Sequence, residues 1–489
     1  MDIVVRRPFD DSLYGTIAAT PPADVHRAAA TARQAQAAWE SVPPLERSRV
    51  FVRLARLVLD QRDRVLDVVQ AETGKARLSA FEEVMDAARA VRVFAAAAPR
   101  HLRPRRRGGA IPLLTRTVEY HRPVGVVGII NPWNYPFNLP ASDATQALLA
   151  GNAVLLKPDS QTPFTALLLA DLLTEAGLPE GLFQVLPGSG AELGPELVAA
   201  VDHLMFTGST ATGRELAVAC ARRLIGFSAE LGGKNPLLVL ADADLAAAAA
   251  GTARAAFANT GQVCVGIERA YVVAEVYDEF MAALLGLVAE LRVGVGTDWD
   301  LDVGSLASAR QLAAVQAHVE DARAKGATVL AGGRARPELG PYVYEPTVLA
   351  DVTEAMTLCR EETFGPVLAV YRVAGEDEAV AAANDSRYGL NASVWSAHGE
   401  AVAGRIRAGT VNVNEGFAAT WGSHAAPMGG MGESGLGRRH GSQGLLKFTE
   451  PQTVSRQRLH PIAPPAVLGN EGYARFMTAA IRILNRGLR

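Results

Sequence analysis

Residues 203–217 read HLMFTGSTATGRELA, and the fold turns on them. An apolar run ends at Phe206. Gly208, Ser209, Thr210 and Gly213 then open a segment of helical spacing that begins near Thr212. A strand running into a glycine- and hydroxyl-rich helix start is half of a βαβ unit. Working outward, VGVVGII, AVLLKP and FQVLP are further short apolar runs that end in turn residues, and helical stretches such as TALLLADLLTEAGL lie between them. This alternation, from about residue 115 to 240, predicts a parallel sheet. A second alternating region, from about 236 to 430, holds PLLVL, RAYVV, TVLAG, VLAVY, NASVW and TVNVN. Residues from about 22 to 100 read as helices, with apolar positions at i, i+3, i+4 in FVRLARLVLDQRDRVLDVV. No period of 20 to 50 residues repeats, so a solenoid is not expected. Two α/β domains follow, the first a nucleotide binder.

Composition narrows the function classes. The 489 residues are 49% hydrophobic and 20% charged, as in a packed globular protein rather than a disordered one. A net charge of −3 gives no bulk reason to bind nucleic acid or a membrane. Three cysteines cannot build a disulfide framework, which points to a reduced, cytoplasmic setting and makes each thiol worth inspecting. The opening MDIVVRRPFD has no apolar signal core, and no apolar run is long enough to span a bilayer. Lysine is scarce: Lys75, Lys157, Lys234, Lys325 and Lys447 stand among 48 basic residues, so each retained lysine carries weight.

Two basic segments stand apart. PRHLRPRRRGGAIP reads as a solvated connector, with a polyanion site as the alternative. The tail, YARFMTAAIRILNRGLR, places Phe476, Ala480, Leu484 and Leu488 on one helical face, with Arg475, Arg482, Arg486 and Arg489 mostly elsewhere. Packing against the body or a sister subunit is the favoured reading, and contact with a membrane surface is the alternative.

The chemistry rests on a few residues. There is no HExxH, no GxSxG and no Cys/His cluster with metal spacing, so no metal is expected. Free N–H groups at the helix start after Phe206 suit a pyrophosphate, although Ser and Thr also cap ordinary helices. Cys264 in NTGQVCVG follows a Gly-Gln turn, where a thiolate would be accessible; the alternative is an inert core thiol. Cys220 and Cys359 lie on periodic segments and read as core. Glu230 precedes a Gly-Gly turn and is either a base or a solvated surface group. Asn134 in NPWNYP sits in a proline-bounded rigid loop, as an oxyanion donor or a turn amide.

Taken in order, NPWNYP, KPDSQTP, FTGSTATG, ELGGKNP, GQVC, EETFGPV and GGMGESGLGRRHG resemble the aldehyde dehydrogenase superfamily from about residue 15 to 455. The phrases resemble most an actinobacterial branch that oxidises succinate semialdehyde with NADP⁺. The resemblance implies a Rossmann-like cofactor domain (1–114 with 125–231), a catalytic α/β domain (232–446), a β oligomerisation arm (115–124 with 447–460) and a tail (461–489). It implies a homodimer or homotetramer. It implies Cys264 as nucleophile, Asn134 as oxyanion donor and Glu230 as the base that hydrolyses the thioester. Trp133, Lys157, Ser160, Gly208, Ser209, Gly213, Leu231, Glu362 and Phe364 would hold the dinucleotide. Phe137, Arg269, Phe417 and Trp421 would meet the aldehyde.

Three departures from the family pattern matter. Ser160 replaces a glutamate common in NAD⁺-preferring members, which removes repulsion of a 2′-phosphate and predicts NADP⁺ over NAD⁺. Arg439 replaces a glutamate that supports proton exit from the base, so the route of the Glu230 proton is open. An arginine found in several semialdehyde enzymes is replaced by Ser142, followed by Asp143, which would repel an acid if it pointed inward. Longer aliphatic or aromatic aldehydes are therefore the alternative substrates. A CoA-acylating enzyme is disfavoured by Glu230, and a non-catalytic scaffold with a basic amphipathic tail by the intact Cys264, Glu230 and Asn134 set.

Overall fold

The predicted apolar runs become strands covered on both faces. In the computed structural model, which describes residues 2–459, 461–465 and 467–486, Val126–Ile130, Ala153–Lys157 and His203–Thr207 are buried at every position. They are the middle of a six-stranded sheet ordered Gly435–Leu436, Gly226–Glu230, His203–Thr207, Val126–Ile130, Ala153–Lys157, Phe183–Val185. All neighbours are parallel except the two-residue Gly435–Leu436 strand. Strand order reverses between Val126–Ile130 and His203–Thr207. At that switch the carboxyl ends are level: Ile130 lies opposite Lys157 and Phe206, and Thr207 lies opposite Glu230. A crevice at such a switch is where α/β sheets bind ligands.

The Asn138–Ala150 helix is buried at all 13 positions. A helix covered all round is expected to be apolar, yet this one carries Ser142, Asp143, Thr145 and Gln146, each of which needs a partner. The predicted helical region resolves into Pro22–Glu40, Pro44–Asp60, Arg62–Thr73 and Arg77–His101, whose apolar faces join the same core.

A second, seven-stranded sheet runs Thr328–Ala331, Thr347–Ala350, Val367–Val373, Ile267–Val273, Asn235–Val239, Asn391–Trp395, Thr410–Val413. Only Thr328–Ala331 is antiparallel. The loops that enter its strands carry Cys264, before Ile267, and Glu362 and Phe364, before Val367.

The chain divides into two compact units, Met1–Leu102 with Arg122–Glu450 and Arg103–His121 with Pro451–Arg489. Both large sheets belong to the first. The second holds most of a three-stranded sheet of Thr449–Gln457, Thr115–Pro123 and Arg105–Arg107. The segment read as a solvated connector is thus in part an edge strand. Its arginines blunt the open edge, and Arg107 pairs with Glu119 at 2.6 Å. Gly469–Arg486 is helical, as its spacing predicts. Leu488 and Arg489 of the expected amphipathic pattern lie outside the described residues, as do the side chains of Leu484 and Arg486. Among the described residues no helix is long and apolar enough to cross a membrane.

Candidate active site

Two prolines keep NPWNYP out of a helix, and a buried ion pair fixes it. Lys75 Nζ pairs with Glu83 at 2.5 Å and donates to the Asn134 carbonyl at 2.7 Å. The other Glu83 oxygen accepts from the N–H groups of Phe137 and Asn138 at 2.8 and 3.2 Å. Asn134 is buried, and its amide nitrogen donates to the Gln262 carbonyl at 3.0 Å, two residues before Cys264.

The Cys264 loop is strained on one side and pinned on the other. Asn259 and Thr260 have φ of 50° and 58°, and Gly261 follows at 70°. A β-branched residue in the left-handed region is a sign of stored strain. A Cβ at Gly261 would fall 2.0 Å from the Gly365 carbonyl oxygen, so the Cys264 loop is pressed backbone to backbone against the Glu362 loop. From the second sheet, Asn235 Nδ2 donates to the Cys264 and Gly266 carbonyls at 2.8 and 2.7 Å, and Asn391 Nδ2 to the Val265 carbonyl at 2.9 Å. The half-buried thiol packs, as do Tyr135, Phe417 and Trp421, against a small cluster of Val263, Val265, Leu390 and Met428. Burial pushes it up to about 12. Arg439 opposes that rise, and Glu230 and Glu362 add to it. Cys220 and Cys359 are buried in hydrophobic clusters, as expected.

Glu230 ends its strand in a buried position, with Oε1 2.8 Å from where a Cβ on Gly429 would stand. Burial raises its carboxyl to about 7, against the pull of Arg439 and Lys447. Arg439 donates to Asp143 Oδ2 and to Thr207 Oγ1, both at 2.8 Å, with Arg439 and Asp143 fully enclosed. Asp143 therefore does not face a substrate; it neutralises Arg439. Ser142 Oγ, both ends of the Gln146 amide, Arg439 Nε and His440 Nδ1 are buried nearby without protein partners, and such groups are ordinarily satisfied by internal water. Lys447, lowered to about 8 by burial, feels both Asp143 and Glu230.

On the nucleotide side, Lys157 Nζ and Ser160 Oγ donate to the same Gly188 carbonyl, at 3.2 and 3.0 Å. Asp159 turns back to accept from the Gln161 N–H at 2.9 Å. Ser209 caps the Thr210–Arg223 helix by accepting from the Thr212 N–H at 3.3 Å, which leaves the N–H groups of the first turn pointing outward. A Cβ on Gly213 would meet Leu231 Cδ2 at 2.6 Å, so glycine lets that helix seat on Leu231. A Cβ on Gly208 would meet the Phe206 ring at 2.5 Å. Glu362 accepts from the Gly233 N–H at 2.8 Å and is raised to about 8 by burial and then by Glu268. Phe364 stands edge-on to Trp133 at 5.6 Å. A hydroxyl-capped helix start, a lysine with a neighbouring hydroxyl, a carboxylate and two rings in edge contact fit a pyridine dinucleotide.

A cavity of about 290 Å³ next to the thiol cluster is lined in part by Tyr135, Val263, Phe417 and Trp421. Two expected substrate residues are elsewhere. Phe137 is wholly buried in the first core. Arg269 is buried too, its donors taken by Tyr271 Oη at 3.0 Å and by the carbonyls of Lys234, Ala382 and Ala383. Its place on a central strand, rather than on a loop, is the reason. The charges that do line the cavity were not foreseen. Glu82 pairs with Arg254 and Glu83 with Lys75, and Asp86 accepts from Trp421 Nε1 and Asn138 Nδ2. Among the described residues Arg89 alone has no polar partner there. Lys234, with Glu268, was also missed. That pair meets at 2.5 Å, and Glu268 holds the Thr363 and Phe364 N–H groups. Lysine scarcity was the available signal: four of five lysines lie at this site, and only Lys325 serves the surface, pairing with Asp321.

The model of the aldehyde dehydrogenase family matches residues 1–454. A Mycolicibacterium smegmatis protein named "Putative succinate-semialdehyde dehydrogenase NADP(+)" is 50% identical over 493 residues, covering 99% of this chain and 95% of that one. The crystal structure of an E. coli NADP dependent enzyme is 34% identical with a TM-score of 0.90, over 94% of this chain and 95% of that one. PnpE in complex with nicotinamide adenine dinucleotide is 33% identical with a TM-score of 0.91, over 95% and 96%. Motif order, fold and site geometry agree: the chain belongs to the aldehyde dehydrogenase family of oxidoreductases.

Proposed function

We propose that this chain oxidises an aldehyde to a carboxylic acid on Cys264, with NADP⁺ preferred over NAD⁺, and that succinate semialdehyde is its substrate. The observation that carries the chemistry is a thiol in a pinned loop, two residues from the carbonyl to which the Asn134 amide donates. As its proton passes to water, the Cys264 sulfur adds to the carbonyl carbon. The Asn134 amide holds the resulting oxyanion, and losing one such donor costs about 10²–10³ in rate. Bound nicotinamide dinucleotide supplies the two-electron acceptor. The thioester left on Cys264 is then hydrolysed by water from which Glu230 takes a proton, and a carboxyl raised to about 7 is well placed to do so near neutrality. That proton leaves past the Asp143–Arg439 pair and the unpartnered polar groups of Ser142, Gln146 and His440.

Two observations support the finer reading. Lys157 and Ser160 meet at the Gly188 carbonyl with Asp159 bonded to the Gln161 N–H, an arrangement from which Lys157 can turn to a 2′-phosphate, and the curated relative carries NADP(+) in its name. Arg89, unpaired at the cavity, suits the far carboxylate of succinate semialdehyde, the aldehyde in that relative's name. Residues 125–231 with the N-terminal helices act as the nucleotide half and 232–446 as the catalytic half. The 115–124 and 447–460 segments serve as an arm for homodimer or homotetramer assembly in a reducing, cytoplasmic setting.

Absorbance of NADPH formed from succinate semialdehyde tests the reading. Wild type should turn over without CoA and Cys264→Ala should not. Glu230→Gln should give one burst of NADPH and an acylated Cys264 visible by mass spectrometry. Full turnover by Cys264→Ala, or a wild-type rate that depends on added CoA, would overturn it.

A further inference from the structure

The second compact unit has a charge and a surface unlike the rest of the chain. Its two segments carry eleven arginines, no lysine and two glutamates. Both glutamates are already paired, Glu119 with Arg107 and Glu471 with Arg475. The whole chain stands at −3, so the remainder is net acidic and the positive charge is concentrated here.

The Gly469–Arg486 helix sorts its residues by face. At 100° per residue, Tyr473, Phe476, Met477, Ala480, Ile481 and Ile483 fall on one side, and Arg475 and Arg482 on the other. The apolar side is open: Phe476 is 61% and Ile483 68% exposed. The exposure extends beyond the helix, because Ile462, Val467 and Leu468 in the proline-containing approach are also exposed. Large open apolar patches mark interaction sites.

We infer that this unit docks the protein onto an anionic lipid surface, with the apolar face of the Gly469–Arg486 helix lying in the interface. Three features select that occupant. The arginines complement anionic headgroups. Apolar residues outside the helical stripe can enter a fluid apolar phase but have no place in a helix-to-helix seam. The helix cannot span, so it lies on the surface. The inference does not depend on the aldehyde chemistry.

The test is co-sedimentation of the full-length protein with vesicles of phosphatidylcholine alone or mixed with phosphatidylglycerol. Binding is expected to the mixed vesicles, about tenfold weaker to phosphatidylcholine alone, and lost when salt is raised from about 0.1 M to about 1 M, where screening acts within about 3 Å. The Phe476→Asp/Ile483→Asp variant should bind the mixed vesicles about tenfold or more weakly while its aldehyde turnover is unchanged. Absence of sedimentation with either vesicle, or equal and salt-insensitive binding to both, would overturn the inference. So would retained vesicle binding by the variant with a lowered oligomeric mass by light scattering, which would make the helix a contact between copies.

Discussion

Replacing Glu230 by Gln should abolish steady turnover and, at the same time, make the protein more stable in alkaline solution. The reasoning starts from burial. The carboxyl is raised from its ordinary 4.5 to about 7, chiefly because its charged form is poorly solvated. A folded-state value above the unfolded one means the native state holds the proton more tightly. The favourable contribution is complete below about pH 4.5 and is lost as pH rises through about 7. Above that, the buried carboxylate costs the folded chain about 3 kcal/mol. Glutamine never ionises and avoids this cost. Part of the gain is offset, because Lys447 is held charged in part by Glu230 and loses its proton more readily without it. Thermal unfolding of wild type and variant across pH reads the effect. The variant's advantage should be under half its full size at pH 5.5 and reach it by pH 8, a few degrees in Tm for a chain of this length. A variant less stable than wild type at pH 8, or an advantage that does not change with pH, would refute the claim that Glu230 sits desolvated in the folded state.

Other substitutions separate the roles of neighbouring groups. Arg439→Leu leaves Asp143 as an unpaired buried charge and should destabilise the protein by about 3–5 kcal/mol; adding Asp143→Asn should recover most of that in denaturant titrations, and no recovery would mean the two do not act as a pair. Arg89→Ala should raise KM for succinate semialdehyde about tenfold and leave a neutral aldehyde of similar length unaffected, since a single charged contact is at stake; an equal loss for both would deny it a carboxylate-binding role. Ser160→Glu should move the ratio of kcat/KM for NADP⁺ over NAD⁺ about tenfold or more toward NAD⁺, and an unchanged ratio would dissociate Ser160 from coenzyme choice.

The strands and the glycine-rich helix start were legible because their signals are local. Leu204, Met205 and Phe206 form an apolar run, and Gly208, Ser209 and Gly213 follow at fixed offsets. Cys264, Glu230 and Asn134 stand out by order and spacing, since each alone has an ordinary structural reading. The supports of the site were not legible in the same way. Lys75–Glu83 and Lys234–Glu268 join residues whose neighbours in space are set by tertiary packing, and no local pattern announces them. Arg269 was misplaced for the same reason: its distance from Cys264 in sequence is short, but the strand it occupies turns it toward Tyr271 and away from the cavity. Asp143 looked like an anion at a substrate wall, and only its partner, 296 residues away, explains it.

The close apposition of Gly261 and the Gly365 carbonyl has an evolutionary consequence. Where main chain abuts main chain, no choice of side chain can open or widen the gap, so that flank of the centre is closed to tinkering. The cavity, walled by replaceable groups such as Arg89, Phe417 and Trp421, is where descendants of this sequence are free to acquire new appetites.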